Sequence, residues 1–167
     1  MRSAWDYYAI FSDKIFDLSE GLTVEWEGRL GQIGPGQDTD IMVGITPSMS
    51  AYWEDNGIWT WYDNKSSGSI YDQKAIISGS SGPNKACNPP ETTDWVRMTS
   101  AFNQTATTYW DEKLGACTLI RTVPWTDVYL GIAGDTDSSD LYGFIDWIAV
   151  RKYAPSEPVA TVLSEEP

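Results

Sequence analysis

The stretch that decides the fold is residues 143–153, Gly-Phe-Ile-Asp-Trp-Ile-Ala-Val-Arg-Lys-Tyr. It is rich in β-branched and aromatic residues, which are enriched in strands, and it carries one interior acid, Asp146. A tail rich in Pro, Glu, Ser and Thr follows, and this composition is typical of an extended linker. We therefore predict that residues 1–154 form the domain and residues 155–167 a linker or tail.

Short β-like runs separated by Gly, Pro, Asn, Asp and Ser recur along the chain, and no run has the spacing of a long amphipathic helix. Residues 22–30 alternate between apolar and polar side chains, which places Val24 and Trp26 on one strand face and Glu25 and Glu27 on the other. Further strands are predicted at residues 41–46, 70–77, 94–102 and 128–133, with a hairpin at residues 107–120. This pattern indicates a β-sandwich or barrel.

The strongest local signal is Asn56-Gly57, because an Asn-Gly pair between two aromatic runs favours a tight hairpin turn. Alternation along the second run puts Trp59 and Trp61 on one face. Exposed aromatic faces stack on the apolar faces of sugar rings, so this hairpin is a candidate carbohydrate platform; the alternative is that these rings pack in the core. The candidate carbohydrate-binding residues are Trp53, Trp59, Trp61, Tyr62, Trp110 and Trp125. Those predicted to be structural, because they lie within alternating strands, are Trp26, Trp95 and Trp147.

An excess of acidic residues and the absence of His exclude several classes of function for this 167-residue chain. The net charge is −13, which disfavours nucleic acid as a partner, because nucleic acid is bound through basic patches. Without His, the Ser-His-Asp and Cys-His mechanisms and the usual zinc sites are excluded. No run approaches the ~20 apolar residues of a membrane span, so membrane insertion is not expected.

The chain has two cysteines, Cys87 and Cys117, and no Cys-x-x-Cys motif. Two thiols without His make a poor metal site. We predict a disulfide closing a loop of about 30 residues, worth roughly 3–4 kcal/mol in the chain-entropy model; the alternative is two buried thiols. A disulfide implies an oxidising compartment or the interior of a hyperthermophile; of these we expect the former, with an extracellular or cell-surface location.

Several elements of the second half resemble the concanavalin A-like lectin/glucanase superfamily. They are a strand led by Trp95, a hairpin carrying Tyr109-Trp110-Asp111, the strand at residues 129–132, and the closing pattern Gly-x-Ile-Asp-x-Ile-x-Val. More closely, the closing strand resembles the C-terminus of an uncharacterised domain family of archaeal and bacterial surface proteins. The resemblance implies an all-β jelly-roll sandwich of two antiparallel sheets, with sugar or partner binding and often a structural calcium.

Two sets of acids are candidate calcium ligands, because hard cations prefer carboxylate oxygens. One set belongs to a short acidic loop and comprises Asp135, Asp137 and Asp140. The other is Asp146, since in similar glucanases the Asp of the closing strand helps to hold a calcium that joins the chain ends. Its partners would then be Asp13 or Asp17. The alternatives are a solvated loop and a strand Asp that accepts backbone hydrogen bonds.

Catalysis without His would have to rest on carboxylates. Glu25 and Glu27 share a strand face, roughly 6.5–7 Å apart at Cα, and retaining glycosidases place their carboxyl groups about 5–5.5 Å apart. Glucanases of the superfamily carry Glu-x-Asp-x-x-Glu, whereas residues 25–30 here lack the Asp and the final Glu. We predict that the chain is not an enzyme.

The sequence therefore predicts a non-catalytic polysaccharide-binding module of a secreted or cell-surface protein, partnered by the other domains of its parent. The alternative is a structural or adhesive domain whose aromatics form a protein–protein interface; a β-glycosidase ranks third. A glycan site shows aromatic faces flanked by polar groups, whereas a protein interface shows a flatter, mixed apolar patch.

Overall fold

A computed structural model describes residues 6–31, 40–49, 56–63, 71–77, 80–81, 85–86, 94–111, 115–136 and 143–153. These residues form β-strands joined by turns, and none of them lies in a helix. No helix long and apolar enough to cross a membrane occurs in these ranges. The strands are β1 (Asp6–Asp17), β2 (Leu22–Leu30), β3 (Asp40–Thr46), β4 (Gly57–Asp63), β5 (Tyr71–Ile77), β6 (Ser80–Ser81), β7 (Lys85–Ala86), β8 (Val96–Phe102), β9 (Ala106–Asp111), β10 (Gly115–Ile120), β11 (Asp127–Thr136) and β12 (Gly143–Lys152).

The strands build two antiparallel sheets that pack face to face. The seven-stranded sheet has the order β1-β11-β3-β4-β5-β6, with β7 also paired to β5. The five-stranded sheet has the order β10-β9-β8-β2-β12. The prediction of an all-β sandwich of two antiparallel sheets is confirmed.

The main core lies between the sheets and follows from the alternation seen in the sequence. In β2 the apolar set faces inward, and Trp26 has no solvent exposure. Across the interface, the hydroxyls of Thr60 and Ser100 lie 2.9 Å apart and are buried. This hydrogen bond joins the two sheets and satisfies two polar groups that burial would otherwise leave unpaired.

A second apolar cluster lies on the outer face of the seven-stranded sheet. It contains Trp59, Met42 and Ala133, with Phe11 packed against it. The Trp59 ring lies over Gly131, where a Cβ would come within 2.6 Å of the ring. Trp59 has no solvent exposure, so the prediction that it belongs to an exposed platform is wrong.

The predicted two-residue turn at Asn56-Gly57 is also wrong. Gly57 is the first residue of β4, and this strand pairs with β3 on one side and β5 on the other. Ile45 pairs with Ile58, so the connection from β3 to β4 is much longer than two residues. The partners of the aromatic run are therefore β3 and β5.

Strand β12 contains a β-bulge that explains its interior acid. Ile145 pairs with Gly28 and Trp147 pairs with Glu27, so Asp146 is the extra residue between them. A bulge shifts the face on which the following residues lie. As a result Phe144 and Trp147, three positions apart, both lie on the outer face of the five-stranded sheet.

Candidate functional site

The candidate site is the outer face of the five-stranded sheet, where β8, β2 and β12 lie side by side. The register places outward residues in successive rows across these strands. In the first row, Arg29 of β2 pairs with Phe144 of β12. In the second row, Glu27 of β2 pairs with Arg97 of β8 and with Trp147 of β12. In the third row, Glu25 of β2 pairs with Thr99 of β8 and with Ala149 of β12. We call this surface the aromatic–arginine face, and its members are Arg29, Glu25, Glu27, Trp95, Arg97, Phe144, Trp147 and Arg151.

The first row consists of an arginine with an aromatic ring on each side. The Arg29 guanidinium carbon lies 5.0 Å from the centre of the Trp95 ring and 4.8 Å from that of Phe144. Both rings keep substantial exposure, 43% for Trp95 and 39% for Phe144. These distances are typical of cation–π contacts, so each ring both holds the arginine and presents apolar surface to solvent.

The second row is organised around Trp147. Its indole N–H donates to the Glu27 carboxylate at 2.9 Å, and the Arg97 guanidinium carbon lies 5.4 Å from the ring centre. The hydrogen bond fixes the ring because an indole has a single donor. Trp147 is therefore a rigid, partly exposed aromatic side chain on the middle of the face.

Glu25, in the row next to that of Trp147, joins the strands β8, β2 and β12. One carboxylate oxygen accepts from Arg97 Nη2 at 2.8 Å and the other from Arg151 Nε at 2.9 Å. The hydrogen bond from Arg97 is the main cause that lowers the pKa of Glu25; Arg151 acts in the same direction, and burial opposes both. The carboxylate stays ionised in the neutral range and ties β8 and β12 to β2.

Replacing Glu25 by Gln should give a pH-dependent loss of stability. A carboxyl whose folded pKa is lowered stabilises the fold above its unfolded pKa, about 4.3 for Glu, and this contribution disappears as pH falls through the folded value. We expect Glu25→Gln to cost about 1 kcal/mol at neutral pH, because the arginines are partly exposed. Urea unfolding of both proteins from pH 7 down to pH 3 measures it. A difference that persists unchanged at the lowest pH would show that the carboxylate charge is not responsible.

The predicted carbohydrate-binding residues are not brought together. Trp59 is enclosed on the opposite sheet, and Trp125 is half-buried against the main core. Trp61 and Tyr62 lie in β4, where the structure describes the backbone only, and Trp53 lies outside the described residues. Trp110 pairs with Thr99, so its backbone position falls in the same row as Glu25.

Sequence reasoning missed Trp95 and Trp147 by assigning them a structural role. Trp95 immediately precedes Val96, whose side chain is inward, so alternation alone places Trp95 outward. Trp147 could not be placed by alternation, because the bulge at Asp146 interrupts the period. The pairing of Trp residues with arginines and glutamates on neighbouring strands is visible only once the register is known.

The predicted calcium ligands remain apart where the structure describes them. Asp146 is exposed on its bulge, whereas Asp17 accepts hydrogen bonds from Ser19 and lies near Lys152. Six residues of strand, about 20 Å, separate Asp146 from Lys152, which argues against a junction of Asp17 with Asp146; the alternative junction with Asp13 stays a prediction. No group of three or more potential ligands occurs among the described side chains.

The acidic loop leaves the calcium prediction open. Asp137 and Asp140 lie outside the described residues, and Asp135 is described by its backbone in β11. Calcium binding therefore stays a prediction.

Cys117 lies in β10, packs against the main core and is disulfide-bonded rather than free. Cys87 is the other cysteine of the chain, and it lies outside the described residues.

A cavity of about 450 Å³ lies between β1 and the end of β12. Its floor includes Phe16 and Val150, and charged side chains surround it. Most of these charges have partners within the protein: Lys152 with Glu20, Arg151 with Glu25, and Asp17 with Ser19. The cavity therefore offers a ligand fewer available polar groups than the aromatic–arginine face.

Comparison with solved structures places the fold among lectin-like jelly-roll sandwiches. The chain is similar to CG-16, a homodimeric agglutinin from chicken liver (TM-score 0.59, 11% identity, 87% of this chain and 100% of that chain covered). It is also similar to the carbohydrate-binding module CBM66 from Bacillus subtilis (TM-score 0.64, 10% identity, 87% and 82% covered). A third similar structure is Rv0315, a pseudo β-1,3-glucanase of Mycobacterium tuberculosis (TM-score 0.61, 9% identity, 87% and 69% covered).

The concanavalin A-like fold expected from the closing strand is thus confirmed. No protein-family model matches the chain, and no curated protein matches its sequence. The closer resemblance to an archaeal and bacterial surface-protein family stays a prediction.

Proposed function

We propose that the domain is a non-catalytic carbohydrate-binding module and that it holds glycans on the aromatic–arginine face. The observation that carries this proposal is the combination, on one open sheet face, of three accessible aromatic rings with arginines and glutamates. Sugars offer apolar C–H faces and polar hydroxyls on the same molecule. A surface that alternates rings with hydrogen-bonding groups is complementary to both features.

The geometry of the face suits an extended glycan better than a single small molecule. Neighbouring strands lie about 4.8 Å apart, and residues i and i+2 of one strand lie about 6.5–7 Å apart. Trp95 and Phe144, two strands apart, are therefore separated by about 10 Å. Rings at this separation, with Trp147 in the next row, can contact successive sugar residues.

The polar side chains of the face are already oriented before a ligand binds. Trp147 is fixed by Glu27, and Arg97 and Arg151 are fixed by Glu25. Groups that are held in place lose little conformational entropy on binding. Arg97 keeps 54% of its side chain exposed despite its ion pair, so it can still donate to a sugar hydroxyl.

The same contacts argue against hydrolysis at this face. A glycosidase general acid needs a raised pKa to be protonated near neutral pH. The pKa of Glu25 is lowered, and Glu25 is held by two arginines. Glu27 accepts the indole N–H of Trp147. Glu25 therefore lacks the environment of a proton donor, and Glu27 is engaged with the Trp147 indole.

We also propose that the module belongs to a multidomain protein outside the cell. Its support is the disulfide state of Cys117, which implies an oxidising compartment. The Pro/Glu/Ser/Thr-rich residues that follow the closing strand add to this, because such a composition suits an interdomain linker.

Substitution of Trp147 by Ala should weaken polysaccharide binding about tenfold, because it removes the central ring and frees Glu27. The test is retention in affinity gels containing plant, fungal or bacterial polysaccharides. Phe144→Ala should act in the same direction, since this ring is 39% exposed. The matched control is Ile120→Ala, which removes a 78% exposed apolar side chain on the edge strand β10.

The measurement separates the proposal from its alternative. Retention of the native protein that Trp147→Ala reduces and Ile120→Ala preserves, with melting temperatures unchanged, supports glycan binding at this face. Native protein that is retained by none of the polysaccharides would overturn the proposed function. Equal retention of all variants would place the glycan site elsewhere on the domain.

A further inference from the structure

We propose that Arg29 is an anion-recognition residue and that the glycan bound by the aromatic–arginine face is an anionic polysaccharide. The recognised group is an oxyanion, either the carboxylate of a uronic acid or a sulfate ester. This inference rests on the proposed function and names the substrate class of the same face.

Arg29 differs from the other arginines of the face because no carboxylate among the described residues neutralises it. Arg97 and Arg151 both bond to Glu25. Among the described residues no ion pair or hydrogen bond reaches the Arg29 side chain, whose contacts are the Trp95 and Phe144 rings. Its Nε is buried without a hydrogen-bond partner. In a chain with 24 acids and 11 bases, a partly buried cation without an acidic partner is unexpected.

The two rings contact the Arg29 guanidinium without accepting hydrogen bonds from its N–H donors. Aromatic contacts occupy the faces of a guanidinium, whereas its N–H donors point outward along its edge in a fixed fork. This fork matches the geometry of a carboxylate or sulfate and forms bidentate hydrogen bonds with it. The exposed parts of Trp95 and Phe144 would then contact the sugar ring that carries the anionic group.

The overall negative charge does not prevent this interaction. At physiological ionic strength, charges in water are screened beyond about 8 Å. Asp94 and Asp146, the acids nearest in sequence to Trp95 and Phe144, are exposed, and the high dielectric constant of water weakens their interaction with Arg29. Arg29 is itself only partly exposed and lies beside two rings, so an electrostatic contact to it is stronger than one in bulk water.

The test compares charged and neutral polysaccharides on the native protein and on Arg29→Gln. Polygalacturonate supplies carboxylates, dextran sulfate supplies sulfate esters, and unmodified dextran and a β-glucan are neutral. We expect tighter retention on an anionic polymer, with roughly a tenfold or greater loss in Arg29→Gln, as expected for a charge-assisted hydrogen bond. Arg29→Lys should recover only part of the binding, because it keeps the charge and loses the fork.

Arg121→Gln is the matched control, since it removes one positive charge beyond the far end of β10. Its retention should equal that of the native protein. Whichever anionic polymer loses binding in Arg29→Gln identifies the source of the oxyanion. If Arg29→Gln does not fold, the salt dependence of the native protein tests the proposal instead. Its retention on the anionic polymer must fall as salt rises, whereas its retention on neutral polymers must not change.

The failures of the two proposals are distinguishable. Tight, salt-independent binding to neutral polymers alone would overturn the role of Arg29 and leave carbohydrate binding intact. An equal loss of binding in Arg29→Gln and Arg121→Gln would show a general charge effect and would also overturn it. Absence of retention on every polymer would overturn the proposed function itself.

Discussion

Trp59→Ala is expected to cost about 3–5 kcal/mol of folding stability, the range for removing a large buried aromatic side chain. Trp59 has no solvent exposure, and its ring fills the space above Gly44 and Gly131, where a Cβ would lie 2.7 Å and 2.6 Å from ring atoms. Because neither glycine can fill the resulting cavity, little relaxation is available. Stability of 5–15 kcal/mol is typical of a whole domain, so this single change removes a large part of it.

Urea or thermal unfolding of three variants measures the effect of Trp59. Trp59→Phe should lose much less than Trp59→Ala, since it keeps a ring and removes an indole N–H that is buried without a partner. Trp95→Ala is the matched exposed control and should cost less than about 1 kcal/mol. If Trp59→Ala were as stable as Trp95→Ala and lost glycan binding, the platform first predicted from the sequence would be restored.

Loss of the disulfide is the second large effect expected, roughly 3–4 kcal/mol for a loop of about 30 residues. Reduction of the native protein, and the double variant Cys87→Ser/Cys117→Ser, should lower the melting temperature by similar amounts. Intact mass before and after reduction and alkylation establishes the pairing directly. The disulfide would be contradicted by two thiols that react with an alkylating agent in the unreduced, unfolded protein. A melting temperature that reductant does not change would contradict it as well.

The sheets could be predicted from sequence wherever alternation was regular. Residues 22–30 alternate without interruption, and β2 occupies that range with Trp26 inward and Glu25 outward. The hairpin at residues 107–120 was predicted for the same reason and is formed by β9 and β10. Strand β1 was not predicted, because the register shift between Phe11 and Ile15 breaks its period.

The candidate site was harder to predict because it depends on pairing between distant strands. Alternation correctly placed Trp59 and Ile58 on opposite faces of β4. It could not show that a second apolar cluster encloses Trp59 on the outer face of the seven-stranded sheet. Asp146 is a candidate calcium ligand from the sequence because, in similar glucanases, the Asp of the closing strand helps to hold a calcium. Its role in the structure is to insert one residue, which brings Phe144 and Trp147 to one face.

The strand order has a consequence for how the protein is made. The three strands of the aromatic–arginine face come from residues 22–30, 96–102 and 143–152, and Leu22 pairs with Lys152. Synthesis proceeds from the N-terminus, so β2 can pair with β8 before its second partner, β12, has been made. Pairings of such long sequence separation form slowly. Until residue 152 has emerged, β2 has one open edge and Arg29 lacks one of its two rings. A nascent or proteolytically clipped chain that lacks β12 therefore lacks Phe144 and Trp147, two of the three rings of the aromatic–arginine face.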